Sequence, residues 1–260
     1  MTLKVLDLFA GEGGASQGYL DAGFSLTAAV DLNARALSKH PVQDMTWQGD
    51  WADGLKIAMS GDWGPVDFIH ASPPCQRYAV GTKQSCRENW PDLVDPVREA
   101  LLATGLPFVI ENVPSSPLID PVYLTGCMFE LTVDWDIPKA KVTWNGPDRG
   151  QWEVISGRKW LEGPVATGPV RFHLERKRGF EAHGFSLPVP PVAIEVHHLP
   201  ALPVVGGTPT GFWNRWYAQS IPVAVKKQLM RASWMSGDGV AESIPPAYTE
   251  YVGSQFLKSV

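Results

Sequence analysis

Four short apolar runs, each closed by a turn signal, dominate the first 113 residues: Lys4–Leu8, Leu26–Val30, Val66–His70 and Phe108–Glu111. Between them lie helix-like segments at Ala15–Ala22, Ala34–Ser38 and Pro96–Thr104, the last followed by Gly105 as a C-cap and by Pro107. This alternation predicts βαβ units on a parallel sheet, because parallel neighbours need a crossover and a helix usually supplies it. After Val113 the pattern loosens. Leu124–Val133 reads as a further strand region, residues 135–170 are rich in Trp, Gly and Pro, and residues 182–220 hold many prolines around Gly206-Gly207. Helical patterning returns at Lys226–Met235 and again from Ala247.

The predicted strand ends carry residues suited to chemistry. Val66–Ile69 runs into His70-Ala71-Ser72-Pro73-Pro74-Cys75-Gln76. Pro74 fixes its own φ, and it biases Pro73 to extended backbone. Cys75 is thus held on a stiff turn at a carboxyl strand end, where open α/β sheets place ligands. It is a candidate nucleophile there, although a free cysteine is as often a small buried hydrophobe. Asp7-Leu8-Phe9-Ala10-Gly11-Glu12-Gly13-Gly14 is a strand entering a glycine-rich turn and a helix, which lets backbone approach a ligand closely. It lacks a full dinucleotide fingerprint, because position 16 is Ser, and no Gly-Lys-Ser/Thr follows. Asp31 ends the second strand, where an acid commonly holds ribose hydroxyls or caps a helix. Gly49-Asp50 is a turn or an adenine-facing acid. Glu111 closes the Phe108–Ile110 run and shares a rim with Cys75 if the two strands are neighbours. A semi-buried carboxyl there can donate a proton.

Composition narrows the setting. No apolar run approaches the roughly 20 residues of a membrane span, and the chain enters a strand pattern at once, with no signal-peptide pattern ahead of it. Cys75, Cys86 and Cys127 are odd in number and far apart, so they form neither a disulfide framework nor a zinc spacing. A reducing cytoplasm is expected, with no membrane and no metal. The net charge of −5 argues against a bulk basic nucleic-acid surface. The tightest basic cluster is Arg171, Arg176, Lys177 and Arg178, with His173 among them. Nucleic acid would bind locally there and with strong salt dependence.

Taken in order, these segments resemble the cytosine-C5 DNA methyltransferase family, and the tail Ala247–Gly253 looks most like its short phage-type members. Asp7–Gly14 resembles the family's first motif and Val30-Asp31 its second. Pro73-Pro74-Cys75-Gln76 is similar to the catalytic fourth, Glu111-Asn112-Val113 to the sixth and Arg176-Lys177-Arg178 to the eighth. Ile244–Tyr248 with Val252-Gly253 resembles the tenth. The resemblance implies an α/β fold, a Rossmann-like S-adenosylmethionine-dependent methyltransferase sheet with a small loop-rich DNA-recognition subdomain. It implies a core at 1–134, an insertion and target-recognition region at 135–220, and C-terminal helices returning to the core at 221–260. S-adenosylmethionine is expected over Asp7, Phe9, Ala10, Gly11, Gly13 and Gly14, with Asp31 on its ribose beside Leu32, and Asp50 and Trp51 flanking its adenine. Pro73, Glu242 and Ser243 complete that expected cofactor set. Cytosine would leave the duplex, Cys75 would attack C6, Glu111 would hold or protonate N3, and Arg176 and Arg178 would bind the base and position Cys75. An arginine that favours the thiolate matters, since a thiol of ordinary pKa is only about 3% ionised at neutral pH. Arg77, Lys83, Gln84, Arg87 and Lys177 are expected on double-stranded DNA, the first four from a loop over residues 76–95.

Some positions depart from the family pattern. Glu12 stands where small or apolar residues are usual, Leu174 where a Gln leads the eighth motif, and Glu242 where the tenth carries Asn. The reading is a monomeric DNA cytosine-C5 methyltransferase of the cytoplasm, the host's if the chain is phage-encoded. The rivals are a same-fold enzyme acting on RNA or a free pyrimidine nucleotide, an idle DNA-binding relative, and a nicotinamide-dependent oxidoreductase.

Overall fold

The computed structural model describes residues 2–135, 140–145, 151–156, 169–199, 201–204 and 221–260. Its principal sheet has seven strands. In chain order they are β1 (Lys4–Leu8), β2 (Ser25–Asp31), β3 (Thr46–Gln48), β4 (Phe68–Ala71), β5 (Phe108–Asn112), β6 (Val122–Leu124) and, much later, β11 (Arg178–His183). The spatial order is β3-β2-β1-β4-β5-β11-β6. The first five are parallel, and β11 enters antiparallel between β5 and β6. The crossovers include α1 (Gly14–Asp21), α2 (Ala34–Leu37), α3 (Trp51–Ser60) and α4 (Val94–Thr104). A small sheet joins β7 (Thr132–Trp135), β10 (Val170–Glu175) and β12 (Ala201–Pro203), and β8 (Ala140–Asn145) pairs with β9 (Gln151–Ser156). The short helix α5 (Ile194–His197) lies between β11 and β12 in the chain, and α6 (Val223–Met230), α7 (Gly237–Glu242) and α8 (Pro246–Leu257) close it.

The chain reverses direction across the sheet at β1, which has β2 on one side and β4 on the other. Crevices at the carboxyl ends beside such a switch point are where open α/β sheets bind ligands. Side chains alternate across the strands. Leu6, Leu8, Ile69, Phe108 and Ile110 pack with Leu55 of α3 and Leu101 of α4. Val5, Phe68, Val109 and Phe180 pack on the opposite face with Tyr19 of α1 and with Tyr248, Val252 and Phe256 of α8. Period-two counting therefore places Asp7, His70 and Glu111 on the α1/α8 face, and Asp7 and His70 are register partners. Asp7, His70 and Glu111 bring polar groups into this second core.

The Val66–His70 strand expectation shifts in the structure. Gly64-Pro65 breaks the entry, and Asp67 is used as an anchor, accepting from Lys4 N at 2.7 Å before β4 begins at Phe68. The Leu124–Val133 region resolves into two short strands around a 3₁₀ turn at Gly126–Phe129. The Lys226–Met235 helix begins earlier and ends at Met230, where Arg231 turns left-handed at φ 55°.

A buried ion pair fixes β11 in its place. Arg98 of α4 donates from Nε and Nη2 to Glu181 of β11 at 2.6 and 2.8 Å, and Glu181 also accepts from Ile119 N at 2.8 Å. Removing one partner of such a pair strands the other charge. Glu181→Gln should therefore lower stability by about 3 kcal/mol, read as a shifted urea midpoint. The paired replacement Arg98→Met with Glu181→Leu should recover most of the loss.

Candidate active site at the carboxyl rim

The glycine turn leaves β1 through a left-handed Phe9 (φ 64°) and reaches α1 through Gly13 (φ 84°). Gly13 is required twice over. Its φ disfavours a side chain, and a Cβ would lie 2.6 Å from both His40 Cδ2 and Pro41 Cδ. Asp31 holds the turn from β2: its two carboxylate oxygens accept from Gly11 N at 2.8 Å and from Asn33 N at 2.7 Å. Asn33, not Asp31, caps α2.

Glu12 explains its own departure from the family pattern. Its carboxylate accepts from Ser236 N at 2.5 Å and from the Ser236 hydroxyl, and its carbonyl accepts from Trp234 Nε1 at 2.8 Å. Ser236 is the N-cap of α7, so an anion is stabilised there by the helix terminus. The contact is close: a Cβ on Gly239 would lie 2.1 Å from the Glu12 carboxylate. Ser243 then packs against Gly14, and Glu242 sits exposed at the end of α7. Desolvation, then the Asp238, Glu12 and Asp31 carboxylates, raise the Glu242 pKa.

Beneath the turn lies a buried polar chain. The Ser16 hydroxyl donates to Asp7 at 2.5 Å, and His40 Nε2 lies 3.0 Å from Ser16 Oγ. His40 Nδ1 faces both Val42 N at 3.1 Å and the Val42 carbonyl at 3.2 Å; because the Ser16 proton is committed to Asp7, Ser16 Oγ accepts from Nε2, which carries the imidazole proton. Burial lifts the Asp7 pKa to about 7 and lowers that of His40 to about 4.

The Asp50 carboxylate caps α3, accepting from Ala52 N at 2.8 Å. Trp51 stacks on Phe9 with ring centroids 6.0 Å apart, and Leu32 is exposed. These groups, Asp31 and the glycine turn lie together at the carboxyl ends of β1 and β2, beside the switch point.

On the other side of that point the Pro73-Pro74-Cys75 turn leaves β4. Asn112 Nδ2 of β5 donates to the buried Pro73's carbonyl at 2.9 Å, and the Cys75 carbonyl accepts from Tyr78 N and Ala79 N at 3.0 and 2.9 Å. β4 and β5 are neighbours, as the shared-rim reading needs. Glu111 is buried, and Arg178 Nε of the adjacent β11 lies 3.0 Å from its Oε1, which nevertheless lacks an aligned hydrogen bond. Burial raises the Glu111 pKa, opposed by Arg178, a Ser72 hydrogen bond and Arg176. The Cys75 thiol is also raised, by burial first. Arg178 and Arg176 pull it down and Glu111 pushes it up. The expected arginine effect is present, but in this state desolvation outweighs it.

Arg176 acts on Cys75 and Glu111 from a buried position. It is buried, donates to the Val204 carbonyl and, at 3.1 Å, to the Ala241 carbonyl, and burial lowers its pKa to about 9. It acts as a clamp between the small sheet and α7. Lys177 lies over the Tyr123 ring at 4.5 Å. Arg77 pairs with Asp92 at 3.0 Å, and Arg87 donates to the Ala79 carbonyl at 3.4 Å, so both tie the loop to itself. Lys83 and Gln84 are exposed. Gly206-Gly207 lies outside the described residues, as do Phe212, Trp213, Trp216 and Tyr217. Among the described residues no cluster of His, Cys, Asp or Glu could hold a metal, and no helix is long and apolar enough to cross a membrane.

Comparison with known proteins agrees with this architecture. The model of the C-5 cytosine-specific DNA methylase family matches residues 3–115, which hold the glycine turn, Cys75 and Glu111. Type II methyltransferase M.HgiGI of Herpetosiphon aurantiacus is 34% identical over 89 residues, covering 32% of this chain and 67% of that protein. Type II methyltransferase M.XorII of Xanthomonas oryzae pv. oryzae is 26% identical over 188 residues, or 64% of this chain and 43% of that one. The chain thus spans two thirds of the first relative's length but less than half of the second's. Two solved structures share the fold. A chain described as a DNA modification methyltransferase encoded within an E. coli prophage superposes with a TM-score of 0.53 at 15% identity, over 99% of each chain. The S. pombe Dnmt2 methyltransferase superposes with a TM-score of 0.58 at 12% identity, over 100% of this chain and 99% of that one. The chain belongs to the C-5 cytosine-specific DNA methylase family, the enzymes that methylate cytosine C5 in DNA, and has their Rossmann-like fold.

The buried groups make stability depend on pH with a definite sign. Between pH 4 and 6.5 the unfolded chain protonates His40 and His70, whereas the native state holds both neutral, with pKa values of about 4 and 3. Each therefore makes stability rise with pH in that window. Asp7 opposes them. Its native pKa of about 7 lies above the ordinary aspartate value of 3.8, so its contribution is present at low pH and lost as pH rises toward 7. Asp7→Asn removes the opposing group, and the stability slope between pH 4 and 6.5 should steepen by about 1.4 kcal/mol per pH unit, measured by denaturant titration across that range.

Proposed function

We propose that the chain transfers a methyl group from S-adenosylmethionine to C5 of a flipped-out cytosine in double-stranded DNA, through a covalent bond from Cys75 to C6. The observation that carries this is the convergence of Cys75, Glu111 and Arg178 on one rim, across the switch point from an open glycine turn.

The crevice suits the cofactor. No atom lies within 4 Å of where a Cβ would stand on Gly11, so the turn has room for a ligand against its backbone. Asp31 presents carboxylate to a ribose, Phe9 and Trp51 present aromatic faces to an adenine, and Asp50 and Leu32 border the same pocket. Glu242 and Ser243 reach it from the C-terminal segment, where carboxylate would favour the ammonium rather than the carboxylate end of the methionine part. Bound S-adenosylmethionine supplies an electrophilic methyl carbon.

The chain's own residues do the rest. The Cys75 thiolate adds to C6, and the C5–C6 π pair becomes nucleophilic at C5. Glu111 holds a proton at N3 as charge builds on the ring. C5 takes the methyl with cleavage of the donor's S–CH3 bond, which leaves a neutral thioether; loss of the C5 proton to water then restores the double bond and expels the thiolate. Arg178 favours the thiolate and orients Glu111, whereas Arg176 holds the backbone that presents Arg178. Lys83 and Gln84 meet the DNA backbone from the 76–95 loop. Residues 135–220 supply target recognition, in keeping with a short region reading few base pairs. The negative overall charge leaves that binding local and salt-sensitive.

Fluorine at C5 cannot leave as a proton does. Duplex DNA bearing 5-fluorocytosine, with S-adenosylmethionine, should therefore trap a complex that survives SDS. Cys75→Ala should abolish it, and Cys86→Ala should not. If no duplex context is trapped but fluorinated RNA or a nucleotide is, the acceptor is wrong and the chemistry stands. If nothing is trapped by any acceptor, Cys75 is not the nucleophile. Arg178→Ala should cut kcat at least about 10-fold while leaving S-adenosylmethionine affinity within about 2-fold by calorimetry, since Arg178 lies across the rim from the glycine turn. Asp31→Ala should do the reverse, weakening cofactor affinity first.

A further inference from the structure

The glycine turn has few means of holding its own shape. Phe9, Gly11 and Gly13 are all left-handed, with φ of 64°, 55° and 84°. Glycine loses more conformational freedom on ordering than any other residue, and Gly11, Gly13 and Gly14 make up the turn with Glu12 between them. Glu12 therefore carries the one side chain by which the stretch from Gly11 to Gly14 can be gripped. Asp31 reaches the same stretch from β2, accepting from Gly11 N at 2.8 Å.

The Glu12 side chain is buried and fully engaged within the protein. Ser236 N donates to Oε2 at 2.5 Å, and the Ser236 hydroxyl donates to Oε1. Ser236 is held in turn, because its hydroxyl oxygen accepts from Gly239 N at 3.0 Å. The Glu12 backbone is gripped as well, with Trp234 Nε1 donating to its carbonyl at 2.8 Å. A Cβ on Gly239 would collide with the Glu12 carboxylate, so α7 and the turn meet with no room for a side chain between them. The turn is crowded at Gly13, by His40 and Pro41, and at Gly14, by Ser243 and Ile244. At Gly11 nothing lies within 4 Å of where a Cβ would stand. The turn is thus anchored from residues 234–244 and left open at Gly11.

We propose that Glu12 is a positioning residue for the cofactor: through Ser236 and Trp234 it holds the Gly11–Gly14 backbone in the shape that receives S-adenosylmethionine, without touching the cofactor itself. The inference rests on the S-adenosylmethionine reading above and adds to it the residue that orders the turn in advance. A turn already in shape charges no ordering cost against binding. Without the Glu12 carboxylate the glycines sample other conformations, and the apparent affinity falls by the fraction of molecules left competent. Both carboxylate oxygens are committed to Ser236, so the effect runs through backbone geometry and not through attraction to a cationic ligand.

The test is calorimetry with two ligands, joined to hydrogen exchange on the ligand-free protein. S-adenosylmethionine carries a sulfonium and an ammonium, whereas 5′-methylthioadenosine carries neither. Glu12→Ala should weaken both by about 10-fold, and should speed amide exchange at residues 10–14 of the free protein by a similar factor. Glu12→Gln keeps an acceptor for Ser236 N and should lose about 3-fold. Ser236→Ala should also lose about 3-fold, and Glu12→Ala with Ser236→Ala should bind no more weakly than Glu12→Ala alone, because the two act through one contact. Melting temperature reports folding, and Glu12→Gln and Ser236→Ala carry the test if Glu12→Ala does not fold. Native affinity in a folded variant, unchanged exchange at residues 10–14, or losses that add in the double variant would overturn the positioning role. A loss confined to S-adenosylmethionine would overturn it too, since it would mean direct charge attraction. A native protein that binds neither ligand would overturn the cofactor reading, and the inference with it; native binding with an indifferent Glu12→Ala overturns the inference alone.

Discussion

The return of the C-terminal segment to the first helix is the contact on which the rim depends. α8 lies against α1 so closely that a Cβ on Gly18 would fall 2.1 Å from the Pro246 carbonyl oxygen and from Thr249 Oγ1. Thr249 donates to the Ala15 carbonyl at 3.0 Å, and Tyr248 donates to the Arg176 carbonyl at 2.7 Å. One element thus steadies both the start of the glycine turn's helix and the backbone that presents Arg178. Glu12 and the N-terminus of α7 extend the same closure across the turn. The glycine turn and the rim that bears Cys75 and Glu111 are therefore coupled through residues 234–257 rather than through the sheet alone.

A second theme is how the fold holds polar groups inside an apolar core. Two chains cross the α1 side of the sheet. One is His40–Ser16–Asp7, beneath the glycine turn, and the other is Tyr19–His70–Ser72, beneath the rim that bears Cys75. In each, burial lowers the histidine pKa, and in the first the Ser16 hydroxyl donates to the Asp7 carboxylate. A buried carboxyl without a donor would be costly, and a buried donor without an acceptor equally so. Joined in chains, the hydroxyls and imidazoles satisfy one another, while Asp7 Oδ1 and Glu111 Oε1 are buried without a hydrogen-bond partner.

Much of this was legible in the sequence. The apolar runs, the Gly105 C-cap and the proline breaks mark the parallel half of the sheet, because those signals are local. The adjacency of the strands bearing Cys75 and Glu111 follows from that pattern. The α3 helix was not read, although Asp50 caps it and Trp51, Leu55 and Ala58 have helical spacing; Gly49-Asp50 looked like an isolated turn. β11 was hidden for a different reason. It pairs antiparallel with β5 from about seventy residues away, and its polar residues, Arg178 and Glu181, find partners only in three dimensions. The roles of Glu12, His40 and His70 were equally hidden, since a lone glutamate or histidine does not name its partner. Glu12 stood out as a departure from a family pattern, and the departure proved to be a latch.

That latch has a consequence for how the protein comes into being. Glu12 and Ser236 are 224 positions apart in the chain. During synthesis the strands of the parallel half emerge early and can begin to pair, but the turn above them lacks its final partner until residues beyond 236 leave the ribosome. Contacts of such sequence separation close late and slow folding, and partly built α/β sheets expose edges meanwhile. The turn should thus close abruptly, once residues beyond 236 have emerged, and a nascent chain stalled before α7 would hold the parallel strands without a closed rim.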